Sequence, residues 1–351
     1  MSRQPAARAR LPLRLTIFVT GVAGIALAIY LVLRSGVHDI LHILDIAGWS
    51  LALLLPAHMA MLAIDSTGWR ALLGRRPRVG TLVLTWFAII RDSVNGLLPV
   101  ARVGGELVAV RLLMARGVAG SEAGASVIVE VTVTLIVQFL FTLIGVFLLL
   151  YELHDAAAAR AVLIGLLISL PALAIFFLLQ HKWGLSQTIE RVLVALTNRQ
   201  VLALAGDPAR LDRAVRDLYA NRRALWSCFF WQFAALFAGA AETWFTLFLL
   251  GRPIGALGAI LLESLGQALR SVSFIVPGGI GVQEGGFLLF GAAIGLPPDM
   301  AIAFSLARRL REIGLGIPAL VSWQWEEGRL LTLHLRWRRK KDEIKERSDG
   351  N

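Results

Sequence analysis

Cysteine is nearly absent from this chain: Cys228 is the only one in 351 residues. A single thiol excludes an intramolecular disulfide and any cysteine-built metal cluster. Charge is scarce as well, at 17% of residues, against about 25% in an average soluble domain. No G-x-x-x-x-G-K-S/T run occurs, so the chain itself is no P-loop ATPase. No Ser-His-Asp constellation can be picked out. His38 and His42, with Asp39 and Asp45, have helical spacing, but they fall in a short outer loop that an interfacial helix explains. The remaining histidines read as isolated. From these absences neither metal nor cofactor is expected, and the chain reads as a non-enzyme.

What is present is apolar. Hydrophobic residues make up 57% and mean hydropathy is +0.69, which excludes a soluble globular enzyme, a disordered chain and a coiled coil. The class that remains is an all-α polytopic membrane protein. Formal net charge is +11, from 35 basic and 24 acidic residues. The basic residues sit mainly in tails and loops between apolar runs, which is what membrane orientation requires, so the excess does not imply nucleic acid.

About 20 apolar residues cross a bilayer as a helix. Clear spans fall at 15–33, 48–69, 124–150, 161–180, 224–250 and 300–325. Two further stretches, 82–118 and 256–296, are broken by glycine, proline and charge. Arg3, Arg8, Arg10 and Arg14 precede the first span without a cleavage site after it, so an uncleaved helix with a cytoplasmic N-terminus is expected. The loop with Arg70, Arg75, Arg76 and Arg78, the segment 181–223 and the tail 326–351 should be cytoplasmic. The loops 34–47 and 151–160, poor in Lys and Arg, should be external.

Parity then requires an even number of crossings, or a re-entrant hairpin, in each broken stretch. About eight membrane helices with two broken hairpins result. The organisation is a basic tail (1–14), a first membrane half (15–180), a cytoplasmic segment (181–223), a second membrane half (224–325) and a basic tail (326–351). Within 181–223, Ile189, Val192, Leu193 and Leu196 form one apolar stripe, and Leu211, Val215 and Leu218 form another. The second follows Asp207-Pro208, a helix start. Two amphipathic basic helices on the inner leaflet are expected.

The broken stretches resemble each other. Pro99 and Pro277 differ by 178, as do Glu106 and Glu284, Ala115 and Ala293, and Gly117 and Gly295; Arg91 and Arg270 differ by 179. Each copy reads arginine, a Pro-Gly break, then glutamate. By the charge rule the first hairpin enters from the cytoplasm and the second from outside. That makes an inverted repeat, a device many secondary transporters use to build a midplane site.

A charge at the centre of a membrane helix costs roughly 2.5–3.5 kcal/mol, so an ionisable residue there is a functional candidate. Arg91, Arg102, Arg111 and Arg116 face Asp92, Glu106, Glu122 and Glu130 in the first half. Arg270, Arg308, Arg309 and Arg311 face Glu263, Glu284, Asp299 and Glu312 in the second. The balance favours pairing within a polar cavity. Candidate substrate-binding residues are Arg91, Glu106, Arg270, Glu284 and Arg308, then Glu130, Glu242, Glu263 and Glu312. Arg91 and Arg270 would hold a headgroup, and Glu106 and Glu284 would pair with them when the site is empty. Arg308 with Glu312, at i, i+4, would gate one side. Glu263, Gln267 and Arg270 share one helix face, and Glu242 lies alone within its span. Pro99, Gly104 and Gly105, with Pro277, Gly278, Gly279 and Gly281, let the backbone break and approach a ligand.

RDSVNGLLPVARVGGELVAVRLL and PGGIGVQEGGFLLFGAAIGLPPDMAIAFSLARRLREIGLGIPALVSWQ resemble the flippase-like membrane region of lysylphosphatidylglycerol synthases and its stand-alone relatives. The second segment, and GAAETWFTLFLLG with Glu242, resemble in particular the subgroup found with hopanoid biosynthesis. The resemblance runs over most of 15–325, and PGGIGVQEGG is its most specific part. It implies translocation of a polar-headed lipid, phospholipid or hopanoid, across the bacterial inner membrane. The aminoacyltransferase of the two-domain synthases is not implied. The partners expected are membrane lipids. A scaffold for lipid-biosynthesis enzymes and a membrane-embedded lipid transferase are the alternatives.

Overall fold

The computed structural model describes residues 48–74, 79–98, 104–153, 208–272 and 282–349; side chains at 150, 152, 153, 208, 270–272, 282–284, 293 and 328–349 lie outside that description. The expected spans 15–33 and 161–180, the stripe Ile189–Leu196, and Arg102, Pro99, Pro277, Gly278, Gly279 and Gly281 fall outside the described residues, as do the side chains of Arg270 and Glu284.

All regular structure among the described residues is helical. A 3-10 turn, Gly48–Leu53, leads into α1 (Leu54–Leu72). Then follow α2 (Thr81–Leu97), α3 (Gly104–Ala115), α4 (Gly120–Leu153), α5 (Pro208–Ala220), α6 (Arg222–Leu249), α7 (Ala256–Val272), α8 (Val282–Ala293) and α9 (Pro298–Asp349). Three stretches among the described residues are long and apolar enough to cross a membrane: Gly48–Leu72, Gly120–Leu149 and Arg222–Leu249. They coincide with the spans expected at 48–69, 124–150 and 224–250. The stretch 300–325 lies within α9, where Arg308 and Arg311 meet carboxylates of α7 and α6.

The broken stretches each hold two described helices, on either side of residues outside the description. α2 and α7 are both 17 residues long, and α3 and α8 are both 12. α3 and α8 start 178 residues apart, as do α4 and α9. Their ends match in detail. Gly117 (φ 82°) and Gly295 (φ 72°) take the left-handed conformation open to glycine. Val118 N–H donates to the Leu113 carbonyl at 3.2 Å, and Leu296 N–H to the Gly291 carbonyl at 2.8 Å. Each is the six-to-one bond of a Schellman cap.

The halves interlock. α1 packs along α6, α2 against α9, and α7 against α4. At the α4–α7 crossing a Cβ on Gly145 would overlap the Ser264 hydroxyl, so the two helices approach at backbone distance. Leu72, Ala125, Val129, Leu211, Val215, Ala224 and Cys228 form one apolar cluster. It gathers the end of α1 bearing Arg70 and the start of α6 bearing Arg222 and Arg223. It also corrects the expectation for 208–220: Leu211 and Val215 are buried against α4 and α6 rather than laid into a leaflet, because Ala125 and Val129 offer them an apolar protein surface. Trp226, Phe230, Phe237, Trp244 and Phe248 leave one exposed aromatic stripe along α6, suited to lipid.

Candidate functional site

Two clusters of charge lie inside the bundle. The first is built on α2. Arg91 sits six residues before the end of α2, where the helix stops short of the break. Its guanidinium donates twice to Glu130 of α4, at 2.7 and 3.0 Å. It also lies 3.6 Å from Glu106 of α3 and 3.9 Å from Asp65 of α1, and stacks over Trp69, 5.3 Å from the ring centroid. Gln232 of α6 donates to Glu130 at 3.3 Å and to the Thr134 hydroxyl at 2.8 Å. One arginine thus serves three carboxyl groups within packed helices.

The start of α3 is tied to α2 by Asn95. Its side-chain carbonyl accepts from Gly105 N–H at 2.8 Å, and its amide donates to Glu106 at 3.3 Å. Gly105 has no room for a side chain, since a Cβ would meet the Arg91 carbonyl and stand 2.6 Å from the Asn95 oxygen. Gly105 is therefore used for a helix–helix contact that brings Glu106 to Arg91, rather than for approach to a ligand. One Glu106 oxygen, Oε2, makes no hydrogen bond. Glu106 keeps 25% of its side-chain surface and Asp65 19%, whereas Glu130 keeps 1%. The cluster is closed at Glu130 and partly open at Glu106.

The second cluster joins α6, α7 and α9. Arg308 donates to Glu263 at 2.5 Å and packs against the rings of Phe287 and Phe304, at 5.6 and 5.5 Å. Glu263 also accepts from Thr243 at 2.7 Å and from Gln267 at 3.0 Å. Arg311 pairs with Glu242, which also meets His58 Nδ1 of α1 at 2.9 Å. Two arginines meet two glutamates, all four almost fully buried. A third contact set lies nearer the Arg70 end. Arg111 of α3 makes three hydrogen bonds to Glu327 of α9, and the more exposed Arg116 and Glu326 stand 3.7 Å apart.

Several expectations are corrected here. Arg308 is held by Glu263, not by Glu312; Glu312 instead stands 3.7 Å from Arg311. A partner one turn away competes poorly with a carboxylate desolvated in the same buried pocket. Arg91 has Glu130 as its principal partner, with Glu106 further off. Glu242 is not alone, and His58 is not isolated. The expected face of Glu263 and Gln267 on α7 is present. Asp65, His58, Asn95, Gln232 and Glu327 belong to these networks and were passed over in the sequence. Asp65 and His58 carried a usable signal, being the ionisable residues inside the apolar run 48–69.

The clusters sit at similar distances from opposite ends of the bundle. Asp65 and Glu242 each lie seven residues before the end of their helix, or about 10 Å along the axis. Glu130 and Arg308 each lie ten residues after the start of theirs, or about 15 Å. Both clusters therefore lie well inside a hydrocarbon layer about 30 Å thick.

Residues 18–319 match the family described as lysylphosphatidylglycerol synthase TM region. No curated protein and no solved structure matches the chain.

Proposed function

The chain belongs to the lysylphosphatidylglycerol synthase membrane-region family, and from that premise we propose that it moves a polar-headed lipid, phospholipid or hopanoid, between leaflets. Membership makes it a multi-pass membrane protein linked to lipid modification or translocation. The observation that carries the finer reading is the partly open first cluster. Asp65, Arg91 and Glu106 retain accessible surface at membrane depth, beside the break between α2 and α3. A headgroup crossing the hydrocarbon needs such a polar route. Arg91 would bind its phosphate or polyol, and Glu106, with a quarter of its side-chain surface exposed, would accept its hydroxyl or ammonium donors. Glu130 and Gln232 would hold Arg91 in place. Arg270 and Glu284 are the candidates for the matching position in the second half.

An inverted repeat is part of this reading. Its support is the equal helix lengths, the common 178-residue offset and the paired glycine caps. The bacterial inner membrane with both termini cytoplasmic is supported by the distribution of Lys and Arg. Resemblance of the second half to the hopanoid-associated subgroup makes a hopanoid a substrate to try beside phospholipids. Lipid-biosynthesis enzymes are the protein partners to seek.

The test is translocation of fluorescent phosphatidylglycerol and of a hopanoid in liposomes, using variants that purify folded and monodisperse. Arg91→Gln and Glu106→Gln should slow it strongly, and Arg309→Gln weakly. Unchanged rates in folded Arg91→Gln and Glu106→Gln protein would favour the scaffold reading, in which the intramembrane charges only hold helices together.

A further inference from the structure

His58 lies on α1 where both halves meet. Its side chain is 9% exposed. Nδ1 is 2.9 Å from Glu242 Oε2 of α6, and Nε2 is 3.9 Å from Asp92 of α2. The other oxygen of Glu242 is held by Arg311 of α9. A histidine between two carboxylates from different helices, one of them clamped by arginine, is a specific arrangement. Neither Arg91 nor Glu106 touches it, so it is separate from the headgroup site.

The chemistry at each nitrogen follows. Glu242 beside Arg311 is ionised and can only accept, so the Nδ1 facing it carries the hydrogen. Nε2 is then the basic nitrogen, and it faces Asp92. Asp92 keeps 64% of its side-chain surface. A carboxylate that exposed cannot look into lipid tails without a cost of roughly 2.5–3.5 kcal/mol, so it looks into water. The water-facing carboxylate leads to the buried imidazole, and the imidazole to a buried ion pair. Histidine is the side chain that changes charge near neutral pH.

We propose that His58 is a proton-binding site, filled through Asp92, that couples proton movement to the translocation cycle. The proton leaves water at Asp92 and adds to Nε2, and no other bond forms or breaks. The imidazolium then attracts Asp92 and Glu242 at once, drawing α2 and α6 onto α1. When the proton leaves, that attraction ends. Asp92 adjoins Arg91 in the chain, so movement of α2 at Asp92 also moves the backbone that carries the guanidinium of the headgroup site. The ionisable groups against His58 are Asp92 of α2 and Glu242 of α6; behind Glu242 stands Arg311 of α9, beside Glu312, and Asp65 lies two turns along α1 itself.

The coupling rests on the translocation reading, whereas proton binding at His58 does not, and the experiment separates them. Full-length protein goes into phosphatidylcholine vesicles with fluorescent phosphatidylglycerol, under an imposed pH gradient with the membrane potential clamped at zero. Wild-type translocation should change with the gradient. His58→Gln, which keeps a donor for Glu242 but cannot take a proton, should keep the rate seen without a gradient and lose the dependence. Asp92→Asn should weaken it. The same gradient dependence in folded His58→Gln as in wild type overturns the coupling. If wild type moves no lipid under any gradient, the translocation reading falls and the coupling with it. The proton site is then decided in detergent by histidine nitrogen resonances, assigned to His58 by their loss in His58→Gln. Resonances that move with pH support it, and resonances fixed at every pH at which the protein stays folded overturn it.

Discussion

In the first half the arginine is on α2 and the carboxylate on α4; in the second the carboxylate is on α7 and the arginine on α9. Arg91–Glu130 and Glu263–Arg308 bridge corresponding pairs of helices with their charges exchanged. Glu130 and Arg308 stand at the same 178-residue offset as Glu106 and Glu284. Comparing residues alone scores that position as a mismatch, yet both members neutralise the partner the neighbouring helix offers. Common to the two positions is neutralisation by a neighbouring helix, whichever residue supplies the charge. The surroundings differ in kind. The first bridge has two additional carboxylates and residual exposure. The second is balanced and shut, with Thr243, Gln267, Phe287 and Phe304 filling the space around it. On the proposed function the first would receive a headgroup, while the second would hold helices together.

This contrast can be broken most forcefully in the closed cluster. Arg308→Gln leaves Glu263 buried without its cation, which costs about 3–5 kcal/mol. Thermal unfolding in detergent should show a large loss of stability or no folded protein, and a variant that melts like wild type would remove the lock. Next in size is the exchange. Glu263→Arg combined with Arg308→Glu gives the second half the polarity of the first. The double variant should recover stability relative to the sum of the singles, with a coupling of about 0.5–3 kcal/mol. Purely additive losses would mean that the bridges are not equivalent.

Gly105→Ala sharpens the first cluster. Its Cβ collides with backbone rather than with a flexible side-chain end, so a loss of about 1–3 kcal/mol is expected, with slower translocation because Glu106 is pushed from Arg91. The smallest effect belongs to the Arg70 end. Arg116 and Glu326 keep 42% and 46% of their side-chain surface, so Arg116→Gln should shift unfolding by less than about 1 kcal/mol. A loss as large as that of Arg308→Gln would mean that exposure does not separate working from structural pairs.

Much of the fold was legible in the residues. The runs 48–69, 124–150 and 224–250 became α1, α4 and α6, and 82–118 and 256–296 each hold two described helices. Gly104 and Gly105 marked a close approach that the structure explains through Asn95 and the Arg91 carbonyl. The site was less legible. Local spacing favoured Arg308 with Glu312, whereas the partner is Glu263, 45 residues away. Glu242 lay alone in sequence because its partners, His58 and Arg311, come from helices on either side of it in the chain. Leu211 and Val215 were correctly apolar, but the surface they cover is α4 and α6.

The sequence by itself determined that this is a helical membrane protein with two similarly interrupted halves. Hydropathy accumulates along the chain, and a helix satisfies its backbone hydrogen bonds within its own segment, so length and composition suffice. Only the tertiary structure decided which charges meet. An ion pair between helices depends on the rotation and depth of both, which packing contacts such as Gly145 against Ser264 set, and no residue spacing encodes those contacts. That is why Asp65 and His58, two polar residues in an apolar run, became members of separate networks on one face-to-face pair of helices, α1 and α6.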